Sequence, residues 1–215
     1  MSSAERVRAA AVKLFATKGF HGTGIRDLAQ EAELSSATLY HYMGTKEDLL
    51  VEIMTASLRR LIDAAAQATA DSEDPVVRVR TLVALHVLAH AAQPGETRVV
   101  DNEVDALSAP ARARVVALRD EYERCWARAI GDGVAANVFH TAQPSVTRLA
   151  LLEMCSGVAR WYSPHGPMRL EDLATHYAEL ALRALGHPVA VRTGDLRNCL
   201  EVVAQVWDLP VKEGF

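Results

Sequence analysis

The chain has 215 residues, half of them hydrophobic and 23% charged, with a formal net charge of −4. That balance excludes a disordered tail and a bulk polyanion binder, and the length allows one or two domains with a sizeable apolar core. Glu5, Arg6, Arg8, Lys13 and Lys18 interrupt any secretion-signal pattern, and no run approaches the roughly 18 uncharged apolar residues of a membrane span, so a cytoplasmic location is expected. Cys125, Cys155 and Cys199 are odd in number and widely spaced. They fit neither a disulfide framework nor a metal-ligand spacing and read as buried small hydrophobes.

Helix follows helix along the chain, with no convincing period-2 segment. Ser2-x-x-Glu5 has the form of a capping box, and Val7, Ala11, Leu14 and Phe15 follow at helical spacing until Gly19. A short helix is expected over 24–32 with Thr23 as its N-cap, and a third over 37–43 capped by Ser35 or Ser36. Thr45-x-x-Asp48 opens a long fourth helix through Ile53, Leu58 and Leu61. The polar stretch 71–75 ends it, and Asp74-Pro75 starts a fifth helix reaching about residue 91. A short helix is expected over 96–107, then one from Ser108 that Gly131–Gly133 would end. Helices over 144–162 and 171–185 flank Pro164–Pro167, and Leu196, Cys199, Leu200, Val203 and Trp207 trace a terminal amphipathic helix over 193–207 of unassigned role. The fold class is therefore all-α. A three-helix front unit would occupy 1–50, with helix four as a linker to about 70, and a larger helical rear unit 71–215.

Two short helices joined by a tight turn and buttressed by a preceding helix have the dimensions of a helix-turn-helix. Residues 23–46 read TGIRDLAQEAELSSATLYHYMGTK. The threonine before the first short helix, the I-x-D-L-A core, the serine-rich start of the second helix, T-L-Y and the following lysine resemble the TetR family of transcriptional regulators. Ala37, Tyr42 and Met43 depart from its commonest residues. The resemblance implies a homodimer on palindromic operator DNA, with contacts from Thr23, Ser35, Ser36, Ala37, Thr38, Tyr40, His41, Tyr42, Thr45 and Lys46. Arg6, Arg8, Lys13, Lys18, Arg26 and Lys46 are matched in 1–50 by as many carboxylates. The grip would then rest on helix N-termini, hydroxyls, Tyr40 and Lys46 rather than on bulk charge.

The segment 160–168, RWYSPHGPM, resembles a branch responding to acyl-coenzyme A thioesters of lipid or sterol breakdown. Trp161 and Tyr162 would line an apolar cavity with Arg160 or Arg169 near a phosphate, or else pack in the core or dimer contact. His86, Asp101, Asn102 and Glu103 could form a polar pocket floor. His86 and His90 stand at metal-ligand spacing but equally read as a satisfied core residue and an exposed one, and neither a metal nor a cofactor is expected. The arginine- and acid-rich stretch 112–124 reads as a solvated face of helical ion pairs. A repressor released by a small hydrophobic or acyl-CoA-type effector is the expected function. The alternatives are a helical dimer binding a small molecule or metal without DNA, or a helical enzyme; G-x-S-x-G, H-E-x-x-H, Walker A and dinucleotide motifs are absent from the sequence.

Overall fold

A computed structural model describes residues 1–207, and every regular element among them is a helix. In chain order these are α1 (Ser3–Lys18), α2 (Ile25–Glu31), α3 (Ser36–Met43), α4 (Lys46–Thr69), α5 (Pro75–Ala92), α6 (Pro94–Asn102), α7 (Ala109–Ala135), α8 (Pro144–Ser156), α9 (Val158–Trp161), α10 (Leu170–Ala184) and α11 (Arg197–Val206), with 3-10 turns at Val104–Ala106 and Thr193–Leu196. The all-α class is as expected, and the last residues of the expected rear domain, 208–215, lie outside the described part.

Local chemistry explains most of the boundaries. Ser2 and Glu5 close the capping box on α1, Ser35 accepts from Thr38 N at the start of α3, and Asp74 accepts from Val76 N before Pro75 opens α5. Thr45 and Asp48 bond reciprocally at 3.0 Å ahead of α4. Three expectations change. The segment 96–107 divides into α6 and a 3-10 turn, and the expected helix over 144–162 is interrupted at Gly157 into α8 and α9. Gly131 and Gly133 do not end α7, which runs on to Ala135, two residues before Asn137, whose φ is +55°. Gly133 is inside the helix for a packing reason: a Cβ there would lie 2.1 Å from the buried Phe139 ring.

The described residues divide into two compact units, residues 1–59 with 95–119, and residues 60–94 with 120–207. In the first, α1 packs on α2 and α3, and Phe15, Leu28, Leu39, Leu50 and Ile53 form the centre of its core. Val99, Val100, Val104, Leu107 and Val115, distant in sequence, complete that same core. Each such side chain contributes roughly 1.5–3 kcal/mol on burial. Polar contacts fasten the added segment: Arg8 Nη2 lies 2.8 Å from the buried Glu96 carboxylate, Arg98 donates to Ala16 O at 3.0 Å, and Glu47 accepts from Ser108 N at 2.6 Å.

The second unit is built around α5, which lies against α8, α9, α10 and α11 and is buried without interruption from Thr81 to His90. With only Arg78 and Arg80 charged along its 18 residues, α5 is long and apolar enough to cross a membrane by length and composition, but it is spent on this core. Leu196, Cys199, Val202 and Val203 of the terminal segment belong to the same cluster.

The two glycines of α7 should respond oppositely to alanine. Gly131 is exposed with nothing near a built Cβ, so Gly131→Ala should stabilise by about 0.5–1 kcal/mol through helix propensity. Gly133→Ala must displace Phe139 and should destabilise by roughly 1–3 kcal/mol. Urea unfolding of both variants measures the pair.

Candidate nucleic-acid interface and effector region

Leu39 and Met43 anchor α3 in the first core, and every other α3 side chain is exposed. Ser36, Ala37, Thr38, Tyr40, His41 and Tyr42 therefore stand on one continuous outward surface, with Tyr40 53% and Tyr42 43% exposed. His41 and Tyr42 meet edge to face at 5.2 Å. Ser35 Oγ and Thr38 Oγ1 are 2.8 Å apart, so these two hydroxyls are partly engaged with each other. Thr45 is exposed, its hydroxyl donating to Asp48 at 2.7 Å. The neighbouring hydroxyl holds that carboxyl below its ordinary range.

Two residues expected at this surface have other occupations. Thr23 is buried and donates to Gly19 O at 2.8 Å; Gly24 is the N-cap of α2, and Asp27 accepts from Gly24 N at 2.9 Å. A threonine hydroxyl can reach back to the i−4 carbonyl as readily as forward, and the tight turn after Gly19 selects the backward bond. Lys46 donates to Phe20 O at 2.8 Å and to Thr23 O at 2.9 Å, with its ammonium 4.2 Å from the Phe20 ring centroid. It clamps the α1–α2 turn, with one of its three N–H groups left over. The other cations of the front helices are also paired: Arg6 with Glu33, Lys13 with Glu31, Lys18 with Asp27. Arg26 on α2 is exposed and has no such partner among the described residues. Sequence reasoning passed over it, although its place beside the inward Ile25 and next to the exposed end of α2 marks it as an outward position.

The residues of the expected polar pocket floor are divided between the two units. Asp101, Asn102 and Glu103 belong to the first unit and His86 to the second. Glu103 accepts from Phe20 N at 3.0 Å, fastening the turn that enters the helix-turn-helix, and Asn102 is exposed. Arg160 and Trp161 are exposed on α9, Trp161 at 54%, so in the protomer they line no enclosed cavity. Tyr162 is half-buried against the second core. Arg169, before α10, lies 3.4 Å from the buried Glu171 carboxylate. Cys155 and Cys199 are buried as expected, whereas Cys125 is partly exposed.

His86 instead joins a polar cluster within the second core. Its Nδ1 is 3.0 Å from the Tyr122 hydroxyl, its Nε2 is 3.0 Å from Ser156 Oγ, and the His90 ring stacks on it at 3.9 Å. Trp126 meets it edge-on at 5.8 Å. Burial, reinforced by the His90 ring, pushes the His86 pKa well below the usual 6.5, and burial raises those of Tyr122 and Cys155. Among the described residues no set of three or more His, Cys, Asp or Glu side chains is gathered for a metal.

Comparisons place this architecture. Residues 7–53 match the bacterial regulatory proteins of the tetR family, and residues 72–185 match the tetracyclin repressor-like C-terminal domain. The chain belongs to the TetR family. It is 34% identical to the TetR-family regulator PfmR of Thermus thermophilus, whose crystal structure superposes with a TM-score of 0.74 over 83% of this chain and 97% of that one. It is 28% identical to the HTH-type transcriptional repressor KstR2 of Rhodococcus jostii over 83% of this chain and 88% of that protein. AibR, solved with isovaleryl coenzyme A and operator DNA, shares the fold at 22% identity, with a TM-score of 0.75 over 83% of this chain and 97% of that one. As a TetR-family member the protein is a transcriptional regulator that reads DNA through its N-terminal helix-turn-helix.

The buried His86 also fixes a pH dependence for this TetR-family chain. Its folded pKa is depressed, so below about 6.5 the unfolded chain binds a proton that the folded chain refuses. Stability should fall as pH drops from about 6.5 toward 5, with a slope of up to about 1.4 kcal/mol per pH unit, and His86→Gln should flatten that slope. Urea midpoints across this window check it.

Proposed function

We propose that the protein is a homodimeric repressor that binds a palindromic operator through α3 and leaves it when a small hydrophobic or acyl-CoA-type effector binds. The observation that carries the DNA reading is the outward surface of α3, where Ser36, Ala37, Thr38, Tyr40, His41 and Tyr42 are all exposed on a helix anchored by Leu39 and Met43. Small side chains at 36–38 allow close approach to base edges, while Tyr40 and His41 suit phosphate and sugar contacts. Ser35 and Thr45 stand at helix starts where phosphates dock, and Arg26 adds one cation outside the ion pairs of the described residues. Thr23 and Lys46 act by setting the angle of α2, with at most one N–H of Lys46 left for phosphate. The repressor relatives named KstR2 and the acyl-CoA complex of AibR on the same fold support the sign and the effector class.

DNA reading falls to 1–50, continued by α4, and effector binding and dimerisation to 71–215, with 95–119 packed into the core of the reading unit. The dimer contact is the outer face of α8 with α10, where Val146 and Leu149 are 62% and 50% exposed. Two reading helices one turn of DNA apart supply the affinity that one cannot. Such a protein is a regulator rather than an enzyme and works where the chromosome is, in the cytoplasm.

The purified protein should retard its own upstream DNA selectively over unrelated DNA in a gel-shift assay, and Tyr40→Ala should weaken this by tenfold or more. Lys46→Ala should also lower the melting temperature, because it removes the clamp on Phe20 and Thr23. Retardation without sequence selectivity refutes the operator reading. Isovaleryl-CoA or a longer acyl-CoA should release the DNA where free coenzyme A does not; failure of all thioesters rejects that effector class.

Leu149→Glu should give a monomer in sedimentation velocity and lose operator affinity without losing helicity. A dimer unchanged by this variant would move the contact elsewhere.

A further inference from the structure

The eight residues of α3, SATLYHYM, include no arginine, lysine, asparagine, glutamine, aspartate or glutamate. Those are the side chains that identify guanine, adenine or cytosine in the major groove, by paired hydrogen bonds or by a carboxylate on the cytosine amine. Thymine carries a different label, a C5 methyl that an apolar group can meet.

Leu39 and Met43 set the buried side of α3. At the helical repeat, the residues opposite them are Ala37 and His41, with Thr38 and Tyr40 beside these and Ser36 and Tyr42 at the margins. All six are exposed. A recognition helix meets base edges with its N-terminal residues, which puts Ala37 at the base-edge position and His41 one turn further along. Ala37 has only a methyl to offer. Thr38 has a hydroxyl as well, but its Oγ1 lies 2.8 Å from Ser35 Oγ, the atom that also accepts from Thr38 N at 3.1 Å. With the hydroxyl drawn back to the cap, the Cγ2 methyl is the group that Thr38 presents outward. The Ser36 hydroxyl donates and accepts with equal ease, so it separates the bases little.

We infer that Ala37 and Thr38 set the choice of operator by packing their methyls on the C5 methyls of thymines in each half-site. The inference rests on the reading of α3 as the DNA-contacting helix. It gives the operator a chemical character: thymine methyls face α3, and no side chain of α3 holds a guanine through paired bonds. A guanine reading would fall instead to His41 or to Arg26 on α2, and the test separates the two.

The full-length protein is used to select its tightest duplex from a random-sequence pool, and that duplex is remade with deoxyuridine in place of thymidine. Uracil pairs as thymine does and lacks only the C5 methyl. A third duplex carries 7-deazaguanine, which lacks the N7 acceptor. Uracil should weaken binding roughly tenfold, from a loss of about threefold to fivefold in each half-site. The 7-deazaguanine duplex should bind within about twofold of the unmodified one. Thr38→Ser keeps the hydroxyl bond to Ser35 and removes Cγ2, and Ala37→Gly removes the other methyl. Each should lose affinity about threefold or more on the thymine duplex and nothing on the uracil duplex. Thr38→Ser carries the decision where Ala37→Gly loosens α3, because its cap is intact. A duplex indifferent to uracil, an equal loss with 7-deazaguanine, or an equal loss by Thr38→Ser on both duplexes overturns the inference and leaves the operator reading standing. Failure to select any duplex rejects the operator reading itself, and the methyl contact with it.

Discussion

The reading head depends on a core that its own sequence does not complete. α1, α2 and α3 are short, and a unit of their size buries too little apolar surface to hold a helix at a fixed angle. Val99, Val100, Val104, Leu107 and Val115 supply the missing area, and Arg8–Glu96, Arg98–Ala16 and Glu103–Phe20 fix the register. The last of these matters most, because Phe20 is also the residue on which the Lys46 ammonium sits. The turn between α1 and α2 is thus held from both sides, by a carboxylate on its N–H and by a lysine on its carbonyl. The segment providing the carboxylate lies inside the stretch matched by the family's C-terminal domain. Moving it by an ångström would disturb the support of α2 and α3 directly.

Much of the architecture was legible because it is written in local chemistry. Ser2, Ser35, Thr45 with Asp48, and Asp74 with Pro75 each start a helix by bonds that span three residues or fewer. The residues of α3 were legible for the same reason, since Leu39 and Met43 at helical spacing leave the others outside. What was not legible has a common cause in partners distant in sequence. Gly133 looks like a helix stop until the Phe139 ring is seen to lie on it. Nothing local to Lys46 announces that it also donates to the carbonyls of Phe20 and Thr23, far back along the chain. Glu103 and His86 belong to different units, a division that amphipathic spacing does not reveal because it does not say which core a face is buried in.

The effector region shows the limit more sharply. RWYSPHGPM drew attention by composition, but Arg160 and Trp161 are on the surface of the protomer. The polar cluster of the second core is assembled from α5, α7 and α8, which contribute His86, Tyr122 with Trp126, and Ser156. Only His86 among them stood out in the sequence. A serine and two aromatics on apolar helix faces are indistinguishable from ordinary core residues until their polar atoms are counted against one another.

The pairing of nearly every front-helix cation has a consequence for how such a protein finds its site. Glu33, Glu31 and Asp27 already occupy Arg6, Lys13 and Lys18, so a random stretch of duplex meets carboxylates as often as cations. Loose backbone attraction is what lets a protein slide along DNA, and it scales with the number of phosphates neutralised. With these cations engaged by carboxylates, the front unit offers little of that attraction, so shape and hydrogen bonding at α3 have more of the discrimination to supply.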